Sequence, residues 1–183
     1  MRRAAWWGGV GLLAAGLVFF AGRTAAAVRD YAAAPRLVET AAAEGERGFR
    51  LALPPGDPLA GAAAPGRAVV FVYGRDCAAS RDNLWNWADV LVAARGRAVR
   101  FYAAEPARPG APADPRHYWG GMARAVTAAA APADTLHARF RVSVTPATLL
   151  VENGTVVRTY VGPLTPAARR GVLRFVAGAA PGG

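Results

Sequence analysis

The sequence holds one cysteine, Cys77, inside the stretch RAVVFVYGRDCAAS that runs from Arg67 to Ser80. An apolar, β-branched run from Ala68 to Tyr73 ends at Gly74 and delivers the thiol just ahead of residues with helical periodicity. This order places Cys77 at the amino end of a helix and the carboxyl edge of a sheet. The unsatisfied N–H groups and the dipole of the first helical turn favour a thiolate there. Arg75 draws the thiol pKa down and Asp76 pushes it up, so a sulfur of moderate acidity is expected. Ser80, three positions on, offers a hydroxyl that can hydrogen-bond to the thiolate but cannot displace it. The chemistry within reach is attack by a single sulfur on a disulfide, leaving a mixed disulfide that an external thiol must resolve.

Other chemistries fit poorly. A lone cysteine excludes an intrachain disulfide and a CxxC site, and His117 and His137 are too few to suggest a metal cluster, so no cofactor and no metal are expected. The glycines show no phosphate-cradling pattern. Peroxide reduction would want a threonine at helical spacing before Cys77, and none is present. The net charge of +10 comes from arginine alone, because the chain has no lysine. Those arginines are scattered, and no aromatic-interleaved basic stripe appears, so no nucleic-acid partner is expected.

The elements that must position the thiol follow from periodicity. With 183 residues, 54% of them hydrophobic, the chain can bury the core of one domain and carry an appendage. Arg2 and Arg3 precede an uncharged run, Trp6 to Gly22, which reads as a signal anchor or as a signal peptide with Ala25 to Ala27 as the cleavage site. Both readings export the rest of the chain. Residues 1–27 are therefore taken as the anchor or signal, 28–66 as a juxtamembrane stalk and linker, and 67–183 as the folded domain. Within the linker, Phe49 to Leu53 alternates as a short edge strand would.

From Ala68 the predicted order is strand, helix, strand, helix, hairpin, helix. Ala68 to Tyr73 is a buried strand, and Cys77 to Arg95 a helix with Leu84, Trp87, Ala88, Leu91 and Val92 on its apolar side. Ala98 to Ala103 is a second strand, parallel to the first. A proline-rich insertion, Glu105 to Arg116, is followed by helical stretches over Tyr118 to Ala131 and Asp134 to Phe140. Ala147 to Glu152 and Thr155 to Val161 form a hairpin around Asn153-Gly154. Thr165 caps a terminal helix with Pro166 at its first position. Trp87 is expected in the core and Trp85 outside it.

That order, with Cys77 at the first strand-to-helix junction and VTPATLLVENGTVVRTYVG before the last helix, resembles the thioredoxin-like superfamily over Arg67 to Ala177. The resemblance implies an α/β three-layer fold with a mixed sheet of about four strands, preceded here by an N-terminal hydrophobic helix. It places Cys77 at the family's attacking cysteine and Ser80 at its resolving cysteine. Pro146 takes the place of the family's cis proline, and Thr145 that of the backbone edge that pairs with a bound peptide, with Arg75 and Asp76 also facing substrate. Asp76-Cys77-Ala78-Ala79-Ser80 lacks the aromatic and the proline of the usual motif. Phe71 stands where many members keep a buried carboxylate.

The expected function is that of an extracytoplasmic, membrane-anchored monothiol protein engaged in thiol–disulfide exchange, with protein or small-molecule thiols and disulfides as partners. As an enzyme it would be a thiol–disulfide oxidoreductase lacking a resolving cysteine. The alternative is a redox-inactive thioredoxin fold that binds peptides at the membrane.

Overall fold

The computed structural model describes residues 43–106, 115–131 and 133–179. Among the described residues lie seven strands and four α-helices, in the order β1 (Ala43–Glu44), β2 (Phe49–Arg50), β3 (Arg67–Val72), α1 (Ala78–Ala93), β4 (Val99–Pro106), α2 (Pro115–Trp119), β5 (Thr127–Ala131), α3 (Ala133–Phe140), β6 (Ala147–Glu152), β7 (Thr155–Val161) and α4 (Pro166–Ala177). Residues 1–27, expected to be an anchor or signal, lie outside the described residues, and no helix among the described residues is long and apolar enough to cross a membrane.

β3 is the axis of the sheet because it is apolar on both faces. Val69, Phe71 and Tyr73 pack with Trp87 and Val90 of α1 and with Val172 and Phe175 of α4. Ala68, Val70 and Val72 pack on the other side with Phe49, Leu59, Leu136 and Phe140. A strand buried on both faces needs cover on each, and the result is three layers. β3 pairs parallel with β4 across the α1 crossover and antiparallel with β6, in the register Val69↔Phe101 and Val69↔Leu150. The β6–β7 hairpin turns at Asn153 and Gly154, with φ of 51° and 78°, the backbone that an Asn-Gly pair supplies with least strain. Thr165 caps α4 by accepting from the Ala168 N–H at 3.2 Å, and Gly178 ends it at φ 97°.

The sheet is wider than the four strands expected. Its order is β1-β7-β6-β3-β4-β5, and β2 also pairs with β7, making seven strands. Two local reasons account for the difference. Thr127-Ala-Ala-Ala-Ala131 has the composition of a helix, yet it forms β5, because parallel pairing with β4 satisfies its backbone at the sheet edge. Tyr118 to Ala131 is therefore not one helix: α2 gives way to a 3-10 segment, Gly120–Ala125, and then to β5.

The second reason is that the stretch taken as stalk and linker contributes to the sheet from Ala43 onward. β1 and β2 pair antiparallel with β7, and Leu51, Leu59 and Ala62 are buried. Ion pairs Arg139–Asp57 and Arg141–Glu46 fasten the same stretch to α3 and to the residue after it. The short edge strand expected near Phe49 is β2.

Candidate active site

Cys77 occupies the N-cap of α1. The turn that delivers it is closed by the Cys77 N–H donating to the Gly74 carbonyl at 3.0 Å, and the helix begins with the Arg81 N–H donating to the Cys77 carbonyl at 3.1 Å. A side chain at Gly74 would crowd this turn, since an added Cβ would lie 3.1 Å from Thr145 Oγ1 and 3.3 Å from Cys77 Cβ. The thiol is half-buried, and its Sγ lies 3.5 Å from the Thr145 carbonyl oxygen. The Thr145–Pro146 peptide bond is cis. Residues 68 positions apart in sequence thus meet because β3 and β6 are neighbours in the sheet.

Ser80 is fully buried in the first turn of α1. Its oxygen accepts the Gly74 N–H at 3.2 Å. Burial pushes the Cys77 thiol up, but hydrogen bonds from the Ser80 hydroxyl and amide, from Thr145 and from the Ala79 amide outweigh it, and the net direction is down. Hydrogen bonds of the first turn therefore carry the acidity. A bond to a charged acceptor is worth about 1.5–3 kcal/mol. Ser80→Ala is accordingly expected to cut the alkylation rate of Cys77 at neutral pH about tenfold and to move the rate's inflection to higher pH, both read from pH–rate curves.

Arg75 serves a different purpose from the one its place beside Cys77 suggests. Its guanidinium makes a two-pronged ion pair with Glu105 at the end of β4, with Nε–Oε1 at 2.5 Å and Nη2–Oε2 at 2.7 Å, which holds its pKa above the ordinary value. Glu105 reads in the sequence as a turn residue, yet it is 6% exposed. Tyr73 lies close by, its hydroxyl pKa pushed up to about 12 by burial and then by the Glu105 charge. The pair ties the Cys77 turn to β4. Glu105→Gln removes the carboxylate of this ion pair and is expected to lower unfolding stability by about 1–3 kcal/mol, measured by urea titration.

In the sequence, Tyr118 reads as a cap on the proline-rich loop or as part of a substrate groove. The structure sets its ring on Tyr73 with centroids 4.4 Å apart, and its hydroxyl donates to the Ser80 carbonyl at 2.6 Å. Its own pKa is raised, first by burial and then by Tyr73. Arg75, Asp76, Arg81, Leu84, His117 and Tyr118 line a cavity of about 570 Å³. Of the six residues singled out by sequence, the structure brings Cys77, Ser80, Thr145 and Pro146 together and sets Arg75 and Asp76 on the cavity wall. Among the described residues no cluster of three or more metal-ligating side chains occurs.

Strand order, the half-buried thiol at a helix N-cap and the cis proline across from it define a thioredoxin-like fold. Solved structures share it. A candidate thioredoxin from Neisseria meningitidis aligns with a TM-score of 0.52 at 14% identity, over 63% of this chain and 77% of that one. A candidate thiol:disulfide interchange protein, DsbE, from Chlorobium tepidum aligns at 0.51 and 20% identity, over 76% and 98%. DsbF of Mycobacterium tuberculosis, in mixed oxidised and reduced forms, aligns at 0.50 and 17% identity, over 64% and 84%. No protein-family profile and no curated protein sequence matches the chain.

Proposed function

We propose that this chain is an extracytoplasmic monothiol thioredoxin-like protein that carries out thiol–disulfide exchange through Cys77, tethered to the membrane by the hydrophobic segment near its start. The observation that carries the chemistry is the acidified Cys77 thiol at the α1 N-cap, facing the Thr145 carbonyl beside a cis proline. The similar structures described as a thiol:disulfide interchange protein and as oxidised and reduced DsbF support the same reading. Export and tethering rest on the sequence of Trp6 to Gly22. Cleavage after that segment would give a soluble extracytoplasmic form.

In the first step the Cys77 thiolate attacks one sulfur of a disulfide R–S–S–R′. The Cys77–S–S–R bond forms, the R–S–S–R′ bond breaks, and R′S⁻ leaves. Ser80 gives up its hydrogen bond to the sulfur as the charge departs and regains it in the second step. There an external thiolate attacks the R sulfur, forms a new disulfide with R, and returns Cys77 as thiolate. No net oxidation occurs, so the chain needs no electron carrier of its own.

Trapping tests the proposal. The chain with Cys77 intact is expected to form mixed disulfides with disulfide-bearing proteins of the same compartment, reversible by reductant and absent from Cys77→Ser. A second reading, peptide binding without redox chemistry, draws on Val144, which is 56% exposed beside the Thr145 edge and offers an apolar contact. Capture of the same proteins by Cys77→Ser would favour that reading.

A further inference from the structure

Two side chains of α1 grip the loop between β7 and α4. Asn83, one turn beyond Ser80, is fully buried. Its Oδ1 accepts the Leu164 N–H at 2.8 Å and Asn86 Nδ2 at 2.9 Å, and Asn86 Nδ2 also donates to the Leu164 carbonyl at 3.2 Å. Both backbone groups of one loop residue are thus held by an i, i+3 pair on one helix. The Leu164 N–H can only donate and its carbonyl only accept, so these partners fix the orientation of both amides. Asn83 Nδ2 is left with no partner among the described residues, and an orphaned buried donor costs stability. A neutral side chain of this length that accepts two hydrogen bonds brings such a donor with it, whereas aspartate, which has none, would bury a charge. The cost is therefore that of a neutral acceptor aimed at the loop.

The same loop holds the peptide edge, because the Gly162 N–H donates to the Pro146 carbonyl at 2.7 Å. The contacts close a ring: Cys77 Sγ to the Thr145 carbonyl, Pro146 to Gly162, Leu164 to Asn83 and Asn86, and along α1 back to Cys77. We infer that Asn83, with Asn86, is a positioning residue that fixes the gap between Cys77 and the Thr145–Pro146 edge, and that the site is built for a disulfide carried in an extended polypeptide. The inference rests on the exchange reading given above. A polypeptide must set its sulfur at Cys77 and its backbone along Thr145 at the same time, so it is sensitive to that gap. A free small disulfide meets only the sulfur and the first turn of α1.

Two disulfides that share a leaving group test this: hydroxyethyl disulfide, and a short extended peptide whose single cysteine is disulfide-linked to mercaptoethanol. Cys77 attacks the peptide's sulfur, the Cys77–S–S–peptide bond forms, the peptide's bond to mercaptoethanol breaks, and mercaptoethanolate leaves. Adduct formation by the full chain is followed by intact mass and divided by the rate of an unstructured cysteine peptide with the same reagent. Asn83→Ala is expected to lower the normalised peptide rate about tenfold and to leave the small-disulfide rate and its pH inflection unchanged. Asn86→Ala keeps the Asn83 bond to the Leu164 N–H and should give a smaller loss in the same direction; it decides the matter if Asn83→Ala does not fold. Leu91→Ala, which loosens the buried face of the same helix without removing a hydrogen bond to the loop, should leave the ratio of the two rates unchanged. Equal losses with both reagents, no loss with either, or a like change of ratio in Leu91→Ala overturns the inference and leaves the exchange reading standing. Absence of any Cys77 adduct from the unsubstituted chain overturns both.

Discussion

Ser80→Cys is expected to turn a chain that accumulates mixed disulfides into one that releases its partner unaided. Ser80 is buried in the first turn of the helix that Cys77 caps, its side chain turned back onto the Gly74 N–H of the Cys77 turn. A sulfur placed there is held beside the mixed disulfide and attacks it intramolecularly, bonding to the Cys77 sulfur and expelling the bound thiol. Intramolecular attack by a well-placed group exceeds the bimolecular reaction by large factors, so the adduct's lifetime should fall about a thousandfold. Time-resolved intact mass after a pulse of small disulfide reads this directly. An unchanged adduct lifetime would show that the two positions are not within bonding reach. Reduction of a protein disulfide by the variant, driven by an added dithiol, should then proceed over many turnovers.

Trp87→Ala is expected to destabilise the fold by about 3–5 kcal/mol, a large part of a domain's total stability. Trp87 is 0% exposed, stacks with Trp119 at 5.5 Å and lies 5.0 Å from the ring of Phe71. Its Nε1 donates to Thr148 Oγ1 at 2.9 Å, which pins the middle of α1 to β6 through a hydrogen bond shielded from water. Loss of the ring leaves a cavity beneath the helix that carries Cys77. Thr148→Val, which removes only the acceptor, should cost about 1–3 kcal/mol. Urea unfolding followed by circular dichroism separates the two, and equal small losses for both would mean that the indole does not anchor α1.

Much of this arrangement was legible in the chain because it rests on local signals. The β-branched run before Gly74 marks β3, Asn153-Gly154 marks the hairpin, Thr165-Pro166 marks the start of α4, and the spacing of Trp87 and Leu91 marks the buried face of α1. Thr145-Pro146 points to the peptide that faces the thiol. What stayed hidden depends on residues distant in sequence. Nothing local in the alanines of β5 distinguishes a strand from a helix, because pairing with β4 decides it. β1 pairs with the edge that β7 presents and has no signal of its own, whereas the alternation from Phe49 already marks β2. Glu105 joins Arg75 from 30 positions away, and only a charge stranded at a strand end could have flagged it, whereas Tyr118, read as a loop cap or a groove residue, is fixed by Ser80 38 positions away.

The same separation explains what controls the sulfur. Sequence assigns the acidity of Cys77 to the end of the helix and to Arg75 together. The structure commits that guanidinium to Glu105 and leaves the task to Ser80, Thr145 and the amides of the first turn. A charge next in sequence to a thiol acts on it only where no nearer counter-charge claims it. Hydrogen bonds from a helix end are fixed by the fold and act at any ionic strength.

The central claim is that Cys77 is a poised nucleophile rather than a small filler at a helix end. Its reaction with a neutral small disulfide, followed across pH beside that of an unstructured cysteine peptide, tests this most directly. A faster reaction near neutral pH is expected, with an inflection at lower pH than the peptide shows. A rate no greater than the peptide's, with an inflection at or above the peptide's own, would contradict it.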